Sequence, residues 1–426
     1  MSAKDPGGPG GIDPTRTVLS NGVTVIAKET RRTPAVTLLV TVRAGSICDP
    51  DEEPGAMHLL SRVIDRGTST RSADEIAEDL DNRGISLTTT VTRHLFSLAC
   101  TCLARDFEAV CTLLGDIVRN PTIPDEEFEK RRAEAITRLR EDEDSPGIQA
   151  VEGLMTLLYG ADHPYGRRAR GTPTSIERMP RDLLLDLHTH WFAPSQTTIV
   201  AVGDVEPSHV ADVTEAVFRS WSAPGLAPID VPAARRATER RRAIVPMMNK
   251  AQAEIAYGFT TITRADPRYY AFSLVNNVLG QYALGGRLGD RIREREGMAY
   301  HVSSSFDGNV AEGPLVIRAG VNAANVDRAL RSMDEEVAAV GAGITVAELT
   351  ESRNYLLGSM PRALETNAGI ASFLEHAEAF GLGLDYDVRL PALLTAVTLD
   401  EAHEVAREFL DPDRASIVIA GPYSGA

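Results

Sequence analysis

The histidines of this chain show two spacings that metal ligands could use. His188 and His190 are two residues apart, a spacing that could chelate a metal on a strand, but they precede Trp191 at the end of a predicted helix. A helix C-terminus favours histidine because its free carbonyl groups carry partial negative charge. Phe373-Leu-Glu-His376 contains half of a helical zinc motif, but Ser372 stands where the first histidine belongs. We therefore interpret both patterns as structural.

The cysteines favour buried thiols over a metal or disulfide site. Cys100 and Cys102 are two residues apart on a predicted strand and share one face, so a redox or metal role stays open. Four cysteines in 426 residues do not make a disulfide framework. Because a free cysteine behaves as a small hydrophobic residue, we expect burial of Cys48, Cys100, Cys102 and Cys111.

The elements that would position these residues alternate between strands and helices. In the first half, Asn21-Gly22 predicts a tight hairpin turn, and Ser72-Ala-Asp-Glu75 predicts a capped helix that ends near Asn82. Hydrophobic patterning predicts further first-half strands at residues 35–44, 85–92, 95–103 and 197–202, and helices at 53–66, 107–119 and 125–143. In the second half it predicts strands at 251–259, 299–306, 314–319 and 415–420, and helices at 269–280 and 287–295.

Both halves therefore predict an α+β fold, in which helices pack on a largely antiparallel sheet. The similar order suggests a duplicated domain, although no simple residue repeat is visible. We predict a disordered leader at residues 1–15, a first domain at 16–221, a Pro-rich and basic linker at 222–242 and a second domain at 243–426.

Composition excludes several classes of function. The net charge of −16 argues against nucleic acids and anionic membranes as partners. No apolar run approaches the length that spans a bilayer, and the first residues lack the pattern of a secretory signal. These features predict a cytoplasmic protein.

Several ordered motifs carry a family resemblance. Leu19-Ser-Asn-Gly-Val-Thr-Val, Gly55-Ala-Met-His-Leu-Leu-Ser-Arg62 and Gly67-Thr68 resemble the N-terminal signature of M16 metallopeptidases, the insulinase and mitochondrial processing peptidase family. Further matches to the first domain follow at Tyr159–Gly166, Gly171–Ile176, Trp191–Pro194 and Val202–Val205. The stretch from Leu284 to Tyr300 resembles the glycine-rich loop and Arg/Tyr element of the second domain. The resemblance implies two homologous M16-type domains, each a mostly antiparallel sheet with helices on it.

The zinc motif is where this sequence departs from the family. The family places His-x-x-Glu-His on one helix, so that two imidazoles bind zinc and the glutamate acts as a general base. Here the first histidine remains as His58, but the base position holds Ser61 and the second ligand position holds Arg62. The family's third ligand is a glutamate on the following long helix, where the matching stretch Ile136-Thr-Arg-Leu-Arg140 has no carboxylate, and Glu134 and Glu141 are the alternatives. We therefore predict no metal in this chain and a structural role for His58.

The second-domain element is kept. In the family, an arginine and a tyrosine seven residues apart grip the substrate and stabilise the oxyanion, and Arg293 and Tyr300 have that spacing. Arg291 and Arg295 are alternatives for the arginine, and the resemblance assigns substrate binding to Gly285 and Gly286. Composition alone would favour a solvated Arg/Glu helix and a packing tyrosine.

In two-chain members of the family, one subunit carries zinc and the other carries the Arg/Tyr pair. The resemblance therefore implies a non-catalytic, substrate-binding and oxyanion-stabilising subunit that forms a heterodimer with a zinc-bearing homologue and acts on peptides, leader peptides among the candidates. Zinc is expected in the partner, and this chain is predicted to be inactive alone. The alternatives are a purely structural M16 homologue and a single-chain enzyme with unusual metal binding.

Overall fold

The computed structural model of the chain describes residues 11–223, 226, 229–282 and 285–425. They form two sheets with helices packed on them, which confirms the predicted α+β class. The chain divides into two compact units. The first comprises Met1–Leu139, Ala169–Ile229 and Pro361–Leu390, and the second comprises Arg140–Arg168, Asp230–Met360 and Pro391–Ala426. Each unit is therefore built from segments that are far apart in the sequence.

The first unit contains a six-stranded sheet with the order β1-β2-β6-β3-β5-β4. Its strands are β1 (Thr15–Val18), β2 (Thr24–Glu29), β3 (Ala35–Val42), β4 (Thr88–Val91), β5 (Phe96–Leu103) and β6 (Thr197–Gly203). β2 and β6 run parallel, and the other neighbours run antiparallel. The predicted hairpin of β1 and β2 is confirmed, with Gly22 at a φ of +98° in the turn. β4 lies at one edge of this sheet.

The second unit contains a five-stranded sheet with the order β7-β11-β8-β10-β9. Its strands are β7 (Arg241–Pro246), β8 (Ala253–Thr260), β9 (Ala299–Phe306), β10 (Pro314–Val321) and β11 (Ser416–Gly421). β7 and β11 run parallel, and the other neighbours run antiparallel. β9, which contains Tyr300, is therefore an edge strand.

The helices of the first half are α1 (Ala56–Val63), α2 (Ala73–Asp81), α3 (Phe107–Arg119), α4 (Asp125–Glu143), α5 (Pro146–Tyr159), α6 (Pro173–Arg178), α7 (Arg181–Trp191) and α8 (Pro207–Phe218). The predicted capping box of α2 is confirmed, since the backbone N–H of Ser72 donates to Glu75 at 2.7 Å and the N–H of Glu75 donates to the Ser72 hydroxyl.

The helices of the second half are α9 (Tyr269–Asn276), α10 (Gly286–Leu288), α11 (Val326–Ala342), α12 (Val346–Ala363), α13 (Asn367–Ala379), α14 (Tyr386–Ala396) and α15 (Leu399–Phe409). Two π-helical segments, Asn277–Gln281 and Gly289–Arg295, flank α10. In the described part of the chain, no helix is long and apolar enough to cross a membrane.

Two helices pack in a unit whose sheet comes from the other half of the sequence. In the first unit, α13 contributes to a core formed by Ile12, Ile26, Leu39, Val200, Val202, Ile370, Ala371 and Leu374. Glu375 of α13 also accepts hydrogen bonds from Thr41 and from Ser97, the latter at 2.7 Å. In the second unit, α5 packs on the sheet in a core formed by Ala150, Leu154, Met155, Leu158, Ala256, Val316, Val418 and Ala420.

The ends of the predicted leader and linker differ from the observed elements. Residues 1–10 lie outside the described residues, but Ile12 is buried and its N–H donates to Asp387 at 2.5 Å. The packed chain thus begins before residue 15. β7 begins at Arg241, inside the stretch predicted as linker, because its pairing partner β11 is about 170 residues away and gives no local sequence pattern. The predicted domain boundaries otherwise stay a prediction.

Candidate functional site

Helix α1 carries the degenerate motif, and Asp49 fixes where this helix begins. The Asp49 carboxylate accepts hydrogen bonds from the backbone N–H groups of Gly55 (2.8 Å) and Met57 (2.7 Å). Such a carboxylate satisfies free donors at a helix N-terminus. Gly55 has a φ of +94°, and a Cβ there would lie 2.6 Å from the carbonyl oxygen of Arg170. The entry into α1 therefore requires glycine.

His58 is half-buried and Ser61 is buried in the first unit. Burial lowers the pKa of His58 to about 4, and the positive charges of Arg170 and Arg62 act in the same direction. Ser61 is buried, and its hydroxyl donates to the carbonyl oxygen of His58 at 2.6 Å. The hydroxyl thus closes a local contact within α1, and at neutral pH it has no basicity with which to activate water.

Glu134 of α4 is an acid that lies near Arg62. Arg131 donates to both oxygens of Glu134, at 2.8 Å and 3.1 Å. The hydrogen bond from Arg131 lowers the pKa of Glu134, and the positive charge of Arg62 contributes to the same shift. Glu134 and Glu141 both stay alternatives for the third ligand position.

The residues at the motif do not fit a zinc ion. His58 supplies one neutral nitrogen and Glu134 one carboxylate, but a structural zinc site takes four ligands and a catalytic site three protein ligands. Arg62 places a permanent cation at the position of the second histidine. Over the described ranges, no group of three or more His, Cys, Asp or Glu side chains could hold a metal ion.

The glycines of the second-unit element are required by backbone packing. Gly285 has a φ of +107° and Gly286 a φ of +56°. A Cβ at Gly285 would lie 2.6 Å from the carbonyl oxygen of Val302, and one at Gly286 would lie 2.4 Å from that of Val278. These close approaches explain both glycines, and the contact with substrate predicted for them stays a prediction.

Three arginines of the π-helical segment have different surroundings. Arg291 binds Glu296 (Nε to Oε1 3.0 Å) and Glu336 (3.1 Å), and it also contacts Glu335. Arg295 pairs with Asp290 at 2.5 Å on the surface, where its side chain is 73% exposed. Arg293 donates to its neighbour Glu294 at 2.9 Å and is 34% exposed. Arg291 is thus held by three carboxylates, whereas Arg293 has a surface partner that it can exchange for a ligand.

Tyr300 is 87% exposed, although it lies on a strand of the second sheet. The strand is the edge strand β9, and the next residue with its side chain toward the core is Val302. The interpretation of Tyr300 as a packing residue, which composition alone favoured, does not account for this exposure. The phenol is presented to solvent, where a ligand could reach it.

A buried polar cluster behind this element was missed at the sequence level. The side chains of Asn276, Asn277, Ser304 and Ser352 are at most 4% exposed. Ser304 donates to the side-chain oxygen of Asn276 at 2.7 Å, and Asn277 donates to the hydroxyl of Ser352 at 2.9 Å. These bonds join the end of α9 to β9 and the first π-helical segment to α12. The sequence signal was the Asn276-Asn277 pair within an apolar helix, where unpaired amides would be costly.

The remaining candidates for metal or redox chemistry have structural surroundings. All four cysteines are buried and free, and burial raises the pKa of Cys100 and Cys111 to about 12 and that of Cys102 to about 11. His188 is buried near the end of α7, with its Nε2 2.8 Å from the carbonyl oxygen of Val118. The neutral thiols are poor nucleophiles and poor metal ligands.

Comparison with known proteins assigns the class. The family model described as "Insulinase (Peptidase family M16)" matches residues 24–166, and the family model described as "Peptidase M16 inactive domain" matches residues 178–356. A solved structure described as a peptidase M16 inactive domain from Pseudomonas fluorescens superposes with a TM-score of 0.87 at 24% identity, covering 97% of this chain and 99% of that one. The fold and motifs thus define a two-domain M16-type protein, and the chain belongs to the M16 (insulinase) peptidase family.

Curated relatives include both peptidase-type and other proteins. An uncharacterized zinc protease of Mycobacterium tuberculosis is 27% identical over 432 residues, which cover 99% of this chain and 97% of that protein. Subunit 1 of the mitochondrial cytochrome b-c1 complex of Mus musculus is 24% identical over 273 residues, 62% of this chain and 55% of that protein. The family therefore includes relatives whose names describe a protease and a relative whose name describes a complex subunit.

Proposed function

We propose that this chain is the non-catalytic, substrate-binding and oxyanion-stabilising subunit of a heterodimeric M16 zinc peptidase. The observation that carries the proposal is the solvent-exposed Tyr300 on an edge strand, 87% exposed, in a chain whose zinc motif has lost its base and its second ligand. Selection for packing would bury this tyrosine. A solvent-exposed hydroxyl donor, in a chain whose zinc motif lacks its second ligand, fits a role in chemistry performed by another chain.

The chemistry of the pair suits a developing negative charge. When water attacks a peptide carbonyl, charge accumulates on the carbonyl oxygen, and preorganised donors stabilise it. The Tyr300 hydroxyl offers one donor, and the Arg293 guanidinium offers several donors and a fixed positive charge. A zinc-bearing partner would supply the metal and the attacking water. Gly285 and Gly286 would shape the turn beside which the substrate backbone passes.

The partner in this proposal is an M16 homologue with an intact His-x-x-Glu-His motif. The substrate is a peptide, and leader peptides are candidates because an extended chain can add to a sheet edge by backbone hydrogen bonds. A cytoplasmic location remains part of the proposal.

Co-expression with an M16 chain of the same genome that keeps the zinc motif tests the proposal. We expect a stable complex by size exclusion, close to one to one, and cleavage of a fluorogenic peptide mixture that a chelator abolishes. Each chain alone should cleave at a small fraction of that rate. The proposal is contradicted if this chain stays monomeric beside every M16 protein of its genome, or if the zinc chain is equally active without it.

A purely structural M16 subunit is the second candidate. The match to a cytochrome b-c1 complex subunit favours it, because that protein's name describes a component of an assembly. Under this alternative the complex would form, but substitution of Arg293 or Tyr300 would leave its activity unchanged.

A further inference from the structure

The Arg/Tyr element is joined to the body of the second unit by a carboxylate clamp. Glu296 lies between the π-helical segment and β9, and its side chain is 17% exposed. One of its oxygens accepts from Arg291 Nε at 3.0 Å, and the Ser332 hydroxyl of α11 lies 3.0 Å and 2.9 Å from its two oxygens. Arg328 of α11 lies 3.5 Å away. Glu296 therefore ties the end of the element to one side of α11.

Arg291 also connects the π-helical segment to α11. Its guanidinium binds Glu296 on its own segment and also reaches Glu336 and Glu335 of α11. Burial acts to raise the pKa of Glu296, but the hydrogen bonds from Arg291 and Ser332 outweigh it and lower that pKa. Glu296 is thus ionised at neutral pH and holds several donors at once.

The backbone that leads into Glu296 is π-helical. The N–H of Glu296 donates to the carbonyl oxygen of Arg291, five residues back, and the N–H of Met298 donates to that of Ile292. Gly297, with a φ of +61°, turns the chain from the segment into β9. π-Helical turns are rare and occur frequently at functional sites. Their geometry here sets the spacing between the backbone positions of Arg293 and Tyr300.

We infer that Glu296 is a positioning residue for the Arg293/Tyr300 pair, an inference that rests on the proposed function. Glu296 does not contact the substrate. With Arg291 and Ser332 it fixes the turn between the two functional side chains, three residues beyond Arg293 and four before Tyr300. This assigns Arg291, an alternative for the functional arginine, to the support of Arg293.

The test combines a measurement on this chain with one on the two-chain complex. Glu296→Gln removes the charge and keeps the shape, and Ser332→Ala is a milder variant that removes one donor from the clamp. Asp290→Asn is the matched control, since Asp290 is an acid of the same segment that pairs on the surface with Arg295. In the isolated chain, Glu296→Gln should speed amide hydrogen exchange over residues 289–300 by about tenfold, the factor for losing one hydrogen bond to a charged group.

In the complex, the same variant should lower kcat for the best fluorogenic peptide by about ten- to a hundredfold, with KM nearly unchanged, because the donors are misplaced in the transition state. Asp290→Asn should match the parent in both measurements. If amide hydrogen exchange is unchanged in Glu296→Gln, Glu296 does not hold the segment to α11, whatever the function of the Arg293/Tyr300 pair.

If exchange is faster and kcat is unchanged while Tyr300→Phe lowers kcat, the positioning role is wrong and the proposed function stands. If neither variant changes kcat, the proposed function falls and the positioning role falls with it. If the Glu296→Gln chain does not fold, Ser332→Ala takes its place in both measurements. Unchanged amide exchange or unchanged kcat in Ser332→Ala then contradicts the positioning role.

Discussion

At the scale of single residues, Arg62 is the residue of the α1 motif that brings a permanent positive charge. Arg62 occupies the second ligand position, and its charge acts on both His58 and Glu134. The positive charge of Arg62 also lowers the pKa of Glu134, although the hydrogen bond from Arg131 is the larger cause. Both Arg62 and Glu134 are largely exposed, so solvent screening keeps the energy of this pairing small. This interaction does not by itself define a function.

Tyr300→Phe is the sharpest single-residue test of the proposed function. The variant removes only the hydroxyl of an exposed side chain, so the complex should assemble and hold zinc as the parent does. Its kcat should fall by one or more orders of magnitude, since loss of one oxyanion donor costs about 10²–10³ in kcat. Steady-state kinetics on the two-chain complex measures this effect.

Two controls accompany that measurement. Tyr355→Phe makes the same chemical change at another exposed tyrosine, on α12, and should leave kcat unchanged. Arg293→Ala should lower kcat and raise KM if the arginine grips the substrate before reaction, whereas Arg295→Ala should do little. Parent-like rates for both Tyr300→Phe and Arg293→Ala would favour the purely structural subunit.

At the scale of elements, the fold depends on two helices, α5 and α13, that each pack in the unit whose sheet comes from the other half of the sequence. The sequence predicted strands and helices one by one, and many bounds agree, such as those of α3 and α4. It did not predict α5 or β7, nor the placement of α13 on the first sheet. Each of these elements is defined by apolar contacts or strand pairing with residues more than 100 positions away.

Leu374→Ala tests whether α13 is part of the core of the first unit. Leu374 is fully buried against the six-stranded sheet, and the truncation leaves a cavity among aliphatic side chains. We expect a loss of about 2–5 kcal/mol in the free energy of unfolding, measured by urea denaturation. Ser372→Ala on the exposed side of α13 is the control, with a change within about 0.5 kcal/mol. An equally small effect at Leu374 would mean that α13 does not pack on this sheet in solution.

At the scale of the whole molecule, the chain keeps the M16 architecture without a usable zinc site. Several relatives are named zinc proteases, and the sequence similarity extends over nearly the whole chain. The helix α1 that carries the motif is capped by Asp49 and packed in the first unit. The family fold is therefore present while the residues at the zinc motif do not fit a zinc ion, since function lies in a site carried by a fold.

The purified chain should hold far less than one zinc ion per molecule, measured by elemental analysis after dialysis, and should cleave no peptide alone. Arg62→His is the informative variant, because it restores a ligand while Ser61 still lacks basicity and further ligands are still missing. It should not create a chelator-sensitive peptidase. About one tightly held zinc per parent chain, or robust activity of Arg62→His, would show that the motif is less degenerate than its residues indicate.

The sequence alone predicted the family, the hairpin at Asn21-Gly22 and the capped start of α2, and it predicts a degenerate zinc motif at His58, Ser61 and Arg62. These features follow from the chemistry of residues a few positions apart, so a short stretch of sequence contains the whole interaction. The tertiary structure was needed to show how Glu296 is held against α11 and that Tyr300 is exposed on an edge strand. These depend on which distant segments pack together, because the same side chain is exposed or buried, paired or free, according to neighbours that the local sequence does not contain.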